Sequence, residues 1–313
     1  MFRQIFFLAI LIFNPCKTHA WGFFAHEQIN ETAVFSLPVE MMSFYKTYLP
    51  FIKARATNPD KRRYVVEGEA QRHYIDMEYY VNHIPCNQAQ INRIYTAEEL
   101  ATHGILPWHI MQMSRWLTRA FKERDVVKIL KYSADIGHYL ADACVPLHTT
   151  QNYDGQYTGQ KGIHALWESR LPELFADEYN LFVGRAIYID NLSKVIWKTV
   201  KDSHKLVKNV LLIEKNLDKK FPSSQKYCFE KRGGSMRKMH SRAYAKAYHK
   251  ALEGMVEARM RKAIIMVANV WYTCWVNAGQ PDLPLITDEK QLDKKLKEKL
   301  PTKKIPGVRT CAH

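Results

Sequence analysis

Glycine and proline are scarce, at 13 residues each in a chain of 313. That excludes collagen-like and Gly/Pro-rich low-complexity architectures. The six cysteines include no Cys-x-x-Cys pair, which argues against a thiolate zinc site. No Glu-x-x-His pair occurs either, so the ligand pattern of a di-iron bundle is missing. Residues 21 to about 280 contain no linker rich in Pro, Ser or Gly and no internal repeat. Strand-like alternation is rare. Acidic residues are also short: 31 Asp and Glu face 46 Lys and Arg, for a net charge of +15. What is present is 47% hydrophobic and 25% charged, enough apolar content to build a core and to exclude a disordered chain. The basic balance suits anionic partners such as nucleic acid, anionic lipid or a phosphorylated substrate, or simply a soluble surface.

Residues 1–20 read as a secretory signal. Arg3 supplies the positive start, Ile5–Phe13 is an apolar run too short to span a bilayer, and Thr18 and Ala20 stand at −3 and −1 of a cleavage site. An uncleaved anchor is the alternative. Lipidation at Cys16 fits poorly, because Phe13, Asn14 and Pro15 are not the small residues such a site needs. Cleavage after Ala20 sends the protein to the periplasm or outside the cell and makes Trp21 its first residue. No second long apolar stretch follows, so no transmembrane segment is expected in the mature chain. Five cysteines then remain (Cys86, Cys144, Cys228, Cys274 and Cys311). That odd number leaves at least one thiol over, and no bridge is assigned.

The remaining chain reads as all-α, a single multi-helix domain over residues 21–285, followed by a Lys-rich tail over 286–313 expected to be solvated. Apolar residues recur at three- and four-residue intervals in Pro107–Glu123, Val126–Cys144, Asn191–Phe221 and Ser241–Val276. Long loops are expected at Ala54–Gly68 and Thr149–Gly162, and loops of that length are often functional.

Histidines and carboxylates cluster in four places. His26 follows the presumed new N-terminus; Asp60 precedes His73; His138 and Asp142 precede His148; His164 precedes Glu168. His138 and Asp142 are i, i+4 on a predicted helix, so both leave one face a turn apart, and His164 with Glu168 repeats that spacing. Pro146 ends the helix and turns His148 back. Imidazole and carboxylate donors suit Zn²⁺ in a catalytic site. The freed α-amine of Trp21, once deprotonated, can chelate a metal together with its own carbonyl, and His26 can complete that set. Taken singly, each pair is also compatible with a surface pair or a capped core histidine. It is their joint occurrence that points to a multi-metal site.

The segments Trp21–His26, Asp60–Arg63, Arg72–Asp76, Asp135–His148 and Gly162–Glu168 closely resemble the S1/P1 nuclease and zinc-dependent phospholipase C superfamily. The resemblance covers just under half of the chain. It implies three Zn²⁺ ions: the first on Asp60, His73, His138 and Asp142; the second on His148, His164 and Glu168; the third on Trp21 and His26, sharing Asp142. It further implies catalytic roles for Asp60, which would orient water or accept its proton, and for Arg63, which would offset phosphate charge. Tyr74 and Asp76 fall where the nucleases stack and hydrogen-bond a base, although Tyr74 could equally be a core aromatic and Asp76 a capping acid. The expected activity is phosphodiester hydrolysis, with a nuclease acting on single-stranded nucleic acid as the first reading. Phospholipase C is the second; the short gap between His148 and His164, and Glu168 where a nuclease has Asp, resemble that branch. A third reading is a non-catalytic periplasmic zinc- or nucleic-acid-binding protein. No obligate protein partner is evident.

Overall fold

The computed structural model describes residues 23–80, 88–232 and 234–285, together with the isolated positions Pro301, Ile305 and Arg309. Trp21, the signal segment, Cys86, Cys311 and most of the Lys-rich tail lie outside the described residues.

The chain begins with four helices: α1 (Phe23–Val34), α2 (Val39–Thr47), α3 (Leu49–Arg55) and the short α4 (Asn58–Arg62). Three more follow: α5 (Met77–Tyr80), α6 (Gln88–Ile94) and α7 (Ala97–His103). Two long central helices come next, α8 (Leu106–Glu123) and α9 (Val126–Asp142). Short turns α10 (Ile163–Ala165) and α11 (Leu171–Phe175) flank a π-type turn over Leu166–Arg170. The second half holds α12 (Leu192–Asp218), α13 (Ser223–Lys226), an antiparallel hairpin of β1 (Tyr227–Arg232) and β2 (Ser235–His240), then α14 (Arg242–Ala251) and α15 (Met255–Asn277). The all-α expectation holds, with the hairpin as the one pair of strands among the described residues.

Helix α9 is the axis of the core and packs against α1, α3, α8 and α15. Asp125 starts it by accepting the N–H of Lys128 at 3.0 Å. The first half is amphipathic, whereas every residue from Ser133 to Asp142 is buried. Polar groups in that stretch need internal partners. Ser133 meets Tyr45 at 2.8 Å, and its carbonyl accepts Trp271 Nε1–H at 3.1 Å. The metal-type residues His138 and Asp142 therefore sit where water does not reach.

Two departures from the sequence reading have local causes. Ser241–Val276 is not one helix: it breaks between α14 and α15, where Glu253 and Gly254 take φ values of 49° and 78°. Glycine adopts that left-handed conformation at little cost. The hairpin escaped notice because its alternation is of charges rather than apolar residues. Glu230 and Arg232 face the body and pair with Arg170 and Glu173, while Phe229 and Met236 stay exposed. Within the loop expected at Ala54–Gly68 lies helix α4, opened by Pro59 near its N-terminus. Cys144, Cys228 and Cys274 are free thiols. Among the described residues no helix is long and apolar enough to cross a membrane.

Candidate metal centre

Six segments spread over the first half of the chain deliver their donors to one buried spot. His26 comes from the first turns of α1, Asp60 from α4, His73 from the strap that follows, and His138 and Asp142 from the last turn of α9. His148 comes from the turn Pro146–Thr149, and His164 and Glu168 from the α10 segment. All eight are at most 6% exposed.

The donor atoms form three groups, the first two sharing His138: Asp60, His73 and His138; His26, His138 and Asp142; and His148, His164 and Glu168. In the first, His73 Nδ1 lies 3.0 Å from His138 Nε2 and 3.7 Å from Asp60 Oδ1. Asp142 joins the groups. Its Oδ2 is 3.0 Å from His73 Nδ1 and 3.3 Å from His138 Nε2, while Oδ1 is 3.4 Å from His26 Nε2 and 3.9 Å from His148 Nε2. In the third group, His148 Nε2 is 3.1 Å and His164 Nε2 3.0 Å from Glu168 Oε2. Ligands around a tetrahedral zinc at ~2.1 Å stand about 3.4 Å apart, so these separations are close to that size.

Proton positions test the fit independently. His138 Nδ1–H donates to the Ala56 carbonyl at 2.8 Å, and His164 Nδ1–H donates to that of Tyr153 at 2.9 Å. His148 Nδ1–H donates to the His73 carbonyl. A carbonyl can only accept, so in each neutral ring the proton is on Nδ1 and the lone pair on Nε2. The Nε2 atoms of His148 and His164 are nevertheless 3.2 Å apart, with the Glu168 carboxylate beside both. Facing lone pairs next to an anion are the arrangement that a cation between them would satisfy. The outer bonds that fix these tautomers are those that orient metal-ligating imidazoles.

The buried carboxylates favour positive charge at the same spot. Burial alone would lower His138, yet Asp142 and Asp60 outweigh it and lift the ring to about 9. Burial would raise Asp142, but His138 and His148 hold it well below the usual carboxylate range. Burial would likewise raise Glu168; His164 and His148 hold it down. His73 is pushed down to about 4, chiefly by burial, which leaves that ring neutral and able to donate a lone pair.

An outer layer that the sequence reading missed supports these groups. Glu69, 1% exposed, accepts from Tyr139 and from Arg72 at 2.7 Å, and its Oε1 is 3.9 Å from His73 Nε2. Arg62 ties Asp135 at 2.9 Å to the same cluster. The i, i+4 spacing of Glu69 and His73 and the adjacency of Tyr139 to His138 were signals for this layer. Arg170, two residues after Glu168, grips Glu230 and the His240 carbonyl, so the hairpin anchors the metal-type segment.

The remaining candidates line a cleft beside the cluster. Arg63 is fully buried, with Nη1 3.9 Å from Asp60 Oδ1, and it lines a cleft of about 550 Å³ together with Tyr74, Asp76 and Tyr153. Tyr74 is 3% exposed, its hydroxyl donating to the Ala101 carbonyl at 2.7 Å. Asp76 contacts His103 at 3.2 Å. The structure thus brings every described candidate to the cluster or to the cleft beside it.

No protein-family model matches the sequence, and no curated protein matches it significantly. Among solved structures the chain is similar to alpha-toxin of Clostridium perfringens, isolated from avian strain SWCP. The identity is 13%, the TM-score 0.51, and the match covers 85% of this chain. It is also similar to alpha-toxin of Clostridium absonum, at 14% identity and TM-score 0.46, over 81% of this chain and 64% of that one. The chain spans 66% of the length of the Clostridium perfringens protein. The chain shares its all-α fold with the Clostridium perfringens alpha-toxin, in line with the multi-helix fold expected from the sequence.

Proposed function

We propose that the protein is an exported zinc-dependent phosphodiesterase of the phospholipase C kind, acting on phospholipid headgroups. One observation carries the reading. Lone pairs of His148 and His164 converge on the Glu168 carboxylate, beside a second donor set that Asp142 links to it. In this reading Asp60, His73, His138 and Asp142 hold one zinc, and His148, His164 and Glu168 a second. His26 and Asp142, with the amine and carbonyl of Trp21, hold a third. Bound zinc supplies Lewis acidity towards water and phosphoryl oxygens.

The chain's own residues supply the rest. Asp60 presents a buried carboxylate able to orient an attacking water and to accept its proton. Arg63, also buried, offers a guanidinium charge that a low-dielectric setting strengthens against a phosphoryl group. Tyr74 and Asp76 wall the cleft through which substrate reaches them.

The short interval between His148 and His164, the glutamate at 168 and the fold shared with an alpha-toxin favour lipid. A nuclease acting on single strands is the second reading, favoured by Tyr74 and Asp76 standing together on the cleft wall. The test is hydrolysis of phosphatidylcholine, single-stranded DNA and RNA by protein stripped with chelator and reloaded with zinc. Lipid cleavage that disappears on stripping and returns with zinc is expected. Cleavage of polynucleotide alone would establish the nuclease, and bound zinc with no turnover on any diester would leave a zinc reservoir.

The N-terminal ligand makes a separate prediction. One additional residue ahead of Trp21 in the mature protein is expected to remove about one zinc equivalent and to slow turnover about tenfold or more. Unchanged stoichiometry and rate in the extended protein exclude the Trp21 role.

A further inference from the structure

Arg309, far down the chain in the Lys-rich tail, does not reach into solvent. Its side chain is 11% exposed. The guanidinium lies between two aromatic faces, 4.0 Å from the Tyr74 ring centroid and 3.9 Å from that of Tyr153. Nη1 donates to Asp76 Oδ1 at 2.7 Å and Nη2 to the Thr150 carbonyl at 2.8 Å. Ile305 adds a backbone tie, its N–H donating to the Tyr64 carbonyl at 2.7 Å. Two ring faces, a carboxylate and a carbonyl around one planar cation form a built site rather than a chance surface contact.

Its place matters. Tyr74 follows His73, Thr150 is two residues past His148, and the Tyr153 carbonyl holds His164 Nδ1–H. Arg309 and Ile305 line the same cleft as Arg63. We propose that Tyr74, Tyr153, Asp76 and the Thr150 carbonyl form a cation site at the mouth of the candidate metal centre, filled by Arg309 of the same chain. Arg309 and Ile305 thereby block the cleft until they are displaced. A tethered ligand acts at an effective concentration of about millimolar, so modest contacts are enough to keep the site filled. This step goes beyond the catalytic reading, since the blocked cleft is defined by residues that contact no metal.

The test is made in the full-length zinc-loaded protein, comparing wild type, Arg309→Ala and Arg309→Lys. Hydrogen exchange of the peptide containing Ile305 reports whether the segment is seated. Equilibrium binding of bis(p-nitrophenyl) phosphate reports whether the cleft is open. Arg309→Ala is expected to accelerate exchange about tenfold and to tighten binding of the diester about tenfold, with Arg309→Lys intermediate. If the diester is cleaved, the gain appears in KM and kcat stays level. Equal exchange in wild type and Arg309→Ala overturns the proposal. So does faster exchange with unchanged diester affinity, which is what a merely structural clamp gives. Tighter binding without cleavage in any of the three proteins keeps the blocked cleft and removes the catalytic reading instead.

Discussion

Asp142→Asn is expected to strip about two zinc equivalents from the protein and to lower phosphodiesterase turnover by about 1,000-fold or more. The substitution keeps the shape of the side chain and removes its charge. Asp142 is the residue whose two oxygens face different histidines, His73 and His138 on one side and His26 and His148 on the other. A neutral amide gives up the electrostatic attraction to cations on both sides, and its NH₂ would point at a lone pair. Glu168→Gln serves as the comparison. Glu168 faces His148 and His164 of a single donor group, so about one equivalent should be lost. Equal losses in both variants would contradict the linking role of Asp142. Metal content by mass spectrometry and far-ultraviolet circular dichroism on the same samples separate ligand loss from unfolding.

Gly137→Ala is expected to destabilise the protein by about 2–3 kcal/mol and to cost it the metal held by His26. A methyl group at this point of α9 would stand 2.0 Å from Asn30 Oδ1 of α1. Asn30 is fully buried, and its Nδ2–H donates to the Ala134 carbonyl at 3.1 Å, so it has little room to retreat. His26 lies one turn before Asn30 on the same side of α1, with its ring stacked on His138 at 3.8 Å between centroids. Pushing α1 away therefore opens the contact on which the His26 group depends. Shortening the obstacle tests the cause: Gly137→Ala with Asn30→Ala should recover much of the loss in a double-mutant cycle. Additive effects in that cycle would sink the steric explanation.

The candidate donor pairs were legible because helix geometry writes itself into spacing. His138 with Asp142 and His164 with Glu168 announce a shared face at i, i+4, and both pairs meet as expected. The second pair does so through a π-type turn rather than a regular helix, which no spacing argument distinguishes. His26, Asp60 and His73 come from other segments. Only the motif resemblance joined them to α9, because tertiary convergence leaves no periodicity in the sequence. The close approach at Gly137 was invisible for the same reason: a glycine within a helical pattern does not reveal which neighbour needs the space. Arg309 gave no signal at all. One arginine beyond a run of lysines acquires meaning only when Tyr74, Tyr153 and Asp76 are seen around it. The hairpin was missed because Arg170 and Glu173 hold it by charge instead of an apolar face.

Anomalous X-ray scattering at the zinc edge, from crystals of the mature protein, addresses the central claim most directly. It predicts one scatterer within about 2.1 Å of His148 Nε2 and His164 Nε2 beside Glu168, and another among His73, His138 and Asp60 next to Asp142. Crystals grown with zinc that show no anomalous peak at either position, with these side chains placed as described, would contradict it.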